Sequence, residues 1–242
     1  MMYRITVAIA ATTALAALAA CNNDDNTTNP PTPQTARVRV INLDTASANA
    51  GLFANGTAVG SNVGFGSAAT SCIDVPVGQT LSFRNSGSTT DLATNANAGL
   101  TAGQNYTIVL YRSGTTAHSA ILSDDGVTAP GTGNNALRFF NATGTPGDIY
   151  VTTSGGTISG TPSSANLAAG TATTGTNAFM TFPTANTQIR MFNAGTSTGT
   201  PRVNTTFTSN NLSASRIGTA ILTESNMTGT STNASVVSGP CS

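Results

Sequence analysis

Apolar positions follow two regimes along the chain. From Ile5 to Ala20 they form one nearly continuous stretch with small residues, whereas from Arg37 onward they come in short runs broken by turn residues. In Arg37-Val38-Arg39-Val40-Ile41-Asn42 the valines and arginines alternate, which predicts a β-strand with one dry face. Gly51 to Ala54 predicts the next strand, and the Asn55-Gly56 after it marks a hairpin, because both residues accept positive φ. Ser71 to Val75 stops at the turn Pro76-Val77-Gly78-Gln79, Leu81 to Arg84 ends before Gly87, and Asp91 to Asn97 is a weaker strand. Tyr106 to Tyr111 is the most apolar run and is expected to be central, and His118 to Leu122 closes the unit before Asp124-Asp125-Gly126 turns away. No helical period is sustained. Seven or eight short strands within about ninety residues predict a β-sandwich.

The same order of patterns returns about 100 residues later, the mark of an internal repeat. Leu137-Arg138-Phe139-Phe140-Asn141 echoes the opening strand, and Asp148 to Val151 stands for Gly51 to Ala54. Met180-Thr181-Phe182-Pro183 stands for Ile73 to Pro76, and Ile189 to Gly195 for Leu81 to Gly87. The endings Ser119 to Asp124 and Thr219 to Glu224 also correspond, which leaves Asn211 to Arg216 as the weak counterpart of Tyr106 to Tyr111. The predicted fold is all-β: two tandem antiparallel β-sandwiches, immunoglobulin-like or transthyretin-like. The first occupies 37–126, a linker 127–133, the second 134–227 and a C-terminal tail 228–242.

The N-terminal stretch changes the picture from fold to address. A single charge, Arg4, precedes an apolar run of about sixteen residues, short of the roughly twenty that span a bilayer. It ends in Leu18-Ala19-Ala20-Cys21, which resembles the lipobox of bacterial lipoprotein signals. Residues 1–20 are therefore expected to be cleaved, and Cys21 to be lipidated and hold the protein on its membrane. Asn22, where Asp resembles an inner-membrane retention signal, favours the outer membrane of a bacterial cell envelope that has one. Residues 21–36, with Pro30, Pro31 and Pro33 and no large apolar side chain, read as a flexible tether.

Charged residues make up only 7% of the chain, and the 9 basic residues are all Arg against 9 Asp and Glu. No basic surface is available for nucleic acid. Polarity comes from Thr, Ser, Asn and Gly instead, as suits short strands with hydroxyls facing solvent. With Cys21 assigned to lipid, Cys72 and Cys241 remain as an even pair in an oxidising compartment, and a disulfide between them is predicted.

Several of these segments together resemble an exported bacterial repeat, the domain of unknown function 4397. They are the opening strand, Phe65-Gly66, Val75-Pro76-Val77-Gly78, Leu100 to Leu110, and Ile121-Leu122-Ser123-Asp124-Asp125. The resemblance covers about 37–126 well and 134–227 loosely. It implies an exported β-sandwich, often in tandem, with no established activity. The first strand of that family often ends in His followed by a Ser-Pro-Asp turn; here Asn42 and Asn141 stand in that place.

Candidate chemistry is sparse. His118 is the only His, with Ser113, Ser119, Asp124 and Asp125 near it in sequence, but alternation does not bring them together as a triad. Nitrogen and sulfur ligands are too few for zinc, Asp124-Asp125-Gly126 lacks the spacing of a calcium loop, and Asp24-Asp25 falls in the tether. Tyr106, Tyr111, Phe139 and Phe140 read either as a sugar-stacking platform or as core. The expectation is a protein that is not an enzyme and needs no cofactor or metal. It is instead a membrane-anchored cell-surface lipoprotein with a structural, adhesive or partner-binding role. The alternative is a carbohydrate- or peptide-binding module accessory to a transporter or hydrolase.

Overall fold

The computed structural model describes residues 34–69, 71–96, 98–174, 178–184, 186–207, 216–223, 234–238 and 241. Residues 1–33, with the expected signal peptide, Cys21 and most of the tether, lie outside them, as do 211–215. The named elements are all strands.

The first repeat contains β1 (Thr35–Leu43), β2 (Asn49–Ala54), β3 (Thr57–Gly64), β4 (Ser67–Ala68), β5 (Ile73–Pro76), β6 (Leu81–Asn85), β7 (Asp91–Asn95), β8 (Asn105–Ser113) and β9 (Thr116–Ser123). One sheet runs β3-β2-β6-β7; the other runs β4-β1-β8-β9, with β5 also paired to β1. Asn55 and Gly56 turn the β2–β3 hairpin at φ 46° and 81°, as the dipeptide requires. Between the sheets Val38 and Val40 of β1, Leu52 of β2, Phe83 of β6, and Ile108 and Leu110 of β8 form the first core.

The second repeat is similarly built, from β10 (Asn134–Asn141), β11 (Gly147–Thr153), β12 (Ser164–Leu167), β13 (Met180–Pro183), β14 (Thr187–Asn193), β15 (Val203–Phe207), β16 (Ile217–Leu222) and β17 (Ala234–Ser238). Its sheets run β12-β11-β14-β15 and β13-β10-β16-β17, and Phe139, Ile149, Ile189, Met191 and Leu222 fill the core between them.

Four findings differ from the sequence expectation. The sheets are open, but they are not purely antiparallel: β1 pairs parallel with β8, and β10 with β16. A strand that opens one sheet and a strand that returns to it after a crossover run the same way, and side-chain alternation carries no information on direction. Second, the repeats align differently at their ends. Because Arg39 lies opposite Thr107 and Arg138 opposite Thr219, Thr219-Ala220-Ile221-Leu222 is the counterpart of Thr107-Ile108-Val109-Leu110, not of Ser119 to Leu122. Third, Ala234–Ser238, in the expected tail, pairs with β16 as β9 pairs with β8. Fourth, β1 has two dry faces. Val38 and Val40 enter the first core, while Ile41 and Leu43 join Val109, Leu122, Phe140, Ala142 and Ile221 in a third cluster between the repeats. The unbroken Ile41-Asn42-Leu43 end of the strand is the trace of this, since a strand buried on both sides loses its alternation.

A buried Asn repeats the same local architecture twice. Asn42 Nδ2 donates to Ser47 O and Val63 O, both at 3.0 Å, and its Oδ1 accepts from Asp44 N at 3.0 Å. Asn141 Nδ2 donates to Thr145 O at 3.0 Å and Leu167 O at 2.8 Å, and its Oδ1 accepts from Thr143 N at 2.9 Å. Each side chain ties the end of the first strand to the loop beyond it and to the hairpin, satisfying carbonyls that would otherwise be buried without partners.

Candidate functional site

The two repeats meet through equivalent faces. Ile41 and Phe140 hold the same position in their strands, as do Val109 and Ile221; Ala142, just past β10, corresponds to Leu43, and all six lie in the cluster between the repeats. The end of each repeat also reaches the other, Ser123 and Asp124 to Arg138 of β10 in one direction and Cys241 to Cys72, just before β5, in the other. Such reciprocity is the pattern of an isologous contact. It creates two seams in equivalent places.

At one seam Arg138, 3% exposed, is held from four sides. Its Nη2 pairs with Asp124, its Nη1 donates to Ser123 O, its Nε donates to Thr219 Oγ1 at 2.8 Å, and its guanidinium lies over the Phe179 ring at 5.1 Å. Asp124 in turn accepts from Thr107 Oγ1 at 2.7 Å. Burial raises the Asp124 carboxyl above its ordinary value against the pull of Arg138, and lowers the Arg138 guanidinium below its own. Both groups are desolvated in the seam, where the ion pair and the Arg138–Ser123 bond tie the second repeat to the end of the first.

Beside this pair opens a cavity of about 810 Å³, within the usual range of ligand sites. One wall is β9 from Ser119 to Ser123, the other is the chain from Gly170 to Thr174, and Phe179 and Thr181 line the space with Arg138. Ala172 makes a single bridge to Phe140. Gly170 has φ 71°, and a side chain there would collide with the Tyr111 hydroxyl. Nothing larger than hydrogen fits between the wall and that ring.

At the other seam Cys72 stands where Phe179 stands, one residue before the strand that pairs with the opening strand of its repeat. Cys72 is disulfide-bonded to Cys241 across 169 residues, with Cα atoms 5.7 Å apart, and Arg39 Nη2 lies 3.8 Å from its Sγ.

The other residues singled out by sequence are dispersed. His118 is exposed on β9 and stacks on Tyr111, ring centroids 5.5 Å apart. Ser119 points to the opposite face, where its Oγ accepts from Asn95 Nδ2 at 2.6 Å. Asp124 faces Arg138, and Asp125 accepts from Asn105 N at 2.7 Å. No hydrogen bond among the described residues links His118 to Ser113, Ser119, Asp124 or Asp125. Tyr106 and Phe139 lie in separate repeat cores, while Tyr111 and Phe140 meet edge to face between the repeats at 5.5 Å. Among the described residues no cluster of His, Cys, Asp and Glu could hold a metal ion. Sequence reasoning missed Arg39 and Arg138, reading the first as solvent-facing. The signal was there: an Arg at the same place in both opening strands, in a chain with 9 basic residues in all.

Residues 36–152 match the family described as Domain of unknown function (DUF4397), so a domain of that family is present there. The match covers the first repeat and runs through β10 into β11. No curated protein matches the chain.

Proposed function

We propose that this chain, which carries a DUF4397 domain, is an exported, lipid-anchored and non-catalytic module of the bacterial cell envelope that binds a partner in the groove between its repeats. The observation that carries this reading is the Cys72–Cys241 disulfide, because such bonds persist in oxidising compartments. The lipobox ending at Cys21 supplies the anchor: two or more acyl chains hold stably, at about 0.8 kcal/mol per buried CH₂. Asn22 favours the outer membrane where the cell has one. The dispersal of His118, Ser119, Asp124 and Asp125 supports a role without catalysis. An immunoglobulin-like or transthyretin-like class is part of the same proposal, supported by the two packed sheets of each repeat.

Expression of the full precursor with Cys21→Ala tests the anchor. Wild type should fractionate with membranes and incorporate radiolabelled palmitate, and the variant should be released and unlabelled. A variant that still partitions with lipid would overturn the anchored reading.

The exposed threonines that line the groove, Thr171, Thr174 and Thr181, favour a second reading, a carbohydrate-binding module. Reproducible binding of one sugar class on a glycan array, lost on filling the groove, would select it.

A further inference from the structure

We propose that the groove beside β9 takes an extended, uncharged peptide segment of a partner protein, which adds as a further strand to the edge of β9 that no other described strand pairs. This rests on the partner-binding role above and is independent of the lipid anchor.

An unpaired strand edge is a template for pairing, and proteins blunt such edges by shortness, charge, proline, bulges or cover. The other described edge strands carry these devices or are short. β4 and β5 have 2 and 4 residues and β5 ends in Pro76; β13 has 4 and ends in Pro183. The register slips in β3, in β7 and in β12. β15 and β17 have 5 residues each. β9 has 8, contains no Asp, Glu, Lys, Arg or Pro, and pairs without a break from Ser123 opposite Tyr106 to Thr116 opposite Ser113.

The direction of its backbone groups follows from one bond. Asp124 N donates to Asn105 O at 2.8 Å, which makes these two a hydrogen-bonded pair. Antiparallel pairs alternate, so His118, Ala120 and Leu122 turn their N–H and C=O to β8, and Ser119, Ile121 and Ser123 turn theirs away. Arg138, donating to Ser123 O, already uses the last of these carbonyls. The outward groups therefore lie on the stretch that walls the cavity, Ser119 to Ser123.

The far wall selects the occupant. A single strand sits about 4.8 Å from its neighbour, which the cavity accommodates. Gly170 to Thr174 line the same cavity, so an incoming strand lies between β9 and this wall, which favours a single peptide strand over a second copy of β9 with its own sheet. Of the charges that border the groove, Arg138 is paired with Asp124, and both Asp125 carboxylate oxygens already accept from Asn105, which leaves no cation among the described groove residues for an acidic side chain and favours uncharged side chains on the incoming strand. At the equivalent seam the Cys72–Cys241 bond crosses between the repeats. The repeats thus offer this groove on one side and a covalent clasp on the other.

The test uses the oxidised mature protein and a fluorescein-labelled Thr-Val-Thr-Val-Thr-Val peptide, read by anisotropy and by amide hydrogen exchange in NMR. Peptide binding should slow exchange at Ser119, Ile121 and Ser123 at least tenfold and leave Ala120 and Leu122 nearly unchanged. A peptide with its central Val replaced by Pro should bind at least tenfold more weakly. Thr174→Trp and Thr181→Trp, which fill the groove from the wall facing β9, should weaken binding similarly; unchanged unfolding midpoints would show that both fold. The proposal falls if the peptide gives no such protection or if the proline peptide binds equally. It falls too if the three amides are already protected in the free protein, because a segment of the chain itself then covers the edge. Cys21→Ala should bind the peptide like wild type, so loss of the anchor and loss of this site are read separately.

Discussion

The two seams between the repeats stand in equivalent places and are closed by different chemistry. Where one has Phe179 over Arg138 and a buried ion pair with Asp124, the other has Cys72 near Arg39 and a covalent bond to Cys241. A disulfide acts chiefly on the unfolded chain and leaves no room to open. An ion pair at the floor of a groove fixes geometry at little net gain and leaves the space beside it accessible. The contrast puts a covalent clasp at one seam and an open groove at the other, which is where the proposed recognition would act.

The largest way to break the contrast is to cut the clasp. Cys72→Ser with Cys241→Ser should cost up to about 5 kcal/mol, the chain-entropy value for so long a loop, measured as the drop in urea midpoint of oxidised protein. Peptide affinity at the other seam should survive wherever the variant is folded. Arg138→Met should cost about 3–5 kcal/mol, because it leaves the Asp124 carboxylate buried without its partner. Arg138→Met with Asp124→Leu should recover most of that loss; if it recovers none, the pair contributes more than geometry. Two equivalent glycines sharpen the comparison further. Gly66 and Gly170 both have left-handed φ, 72° and 71°, but Gly66 faces open space and Gly170 faces Tyr111. Gly66→Ala should cost about 1–2 kcal/mol for the conformation alone, and Gly170→Ala clearly more, both by chemical unfolding.

The smallest effect is on pH dependence. Burial raises the Asp124 carboxyl above its ordinary 3.8, so the folded protein holds that proton to higher pH than the unfolded chain does. The contribution of this group to stability is greatest below the ordinary value. It declines as pH rises through the folded value and is flat beyond it. Urea-unfolding series across the acidic range should show this decline in the difference between wild type and the Arg138→Met, Asp124→Leu protein, since Asp91, lowered by Arg84, acts with the opposite sign in both.

Much of the strand order was legible because turn chemistry is local. Asn55-Gly56, the Pro76 turn and Gly87 end strands by their own φ preferences, whatever lies around them. The matched strands Ile73 to Pro76 and Met180 to Pro183, and Leu81 to Asn85 and Ile189 to Asn193, were found from residue type alone and hold the same places in their sheets. The repeat ends show where resemblance misleads. Thr219-Ala220-Ile221-Leu222 looks like Ser119-Ala120-Ile121-Leu122, yet pairs as Thr107 to Leu110 does. Short apolar strings resemble each other by composition, and only the partner strand distinguishes a central strand from its neighbour.

The sequence by itself determined that the folded part is all-β, that its pattern recurs and where the main turns fall, and it predicted the Cys72–Cys241 pair that the structure shows. Those follow from local backbone preference, from side-chain period and from counting. The tertiary structure alone decided that β1 and β10 are dry on both faces, that Arg138 is buried against Asp124 and that Ser119 to Ser123 of β9 line a groove. Each of these depends on which sheet faces which across the two repeats. That is set by contacts between residues far apart in the chain, to which periodicity within a single strand is blind.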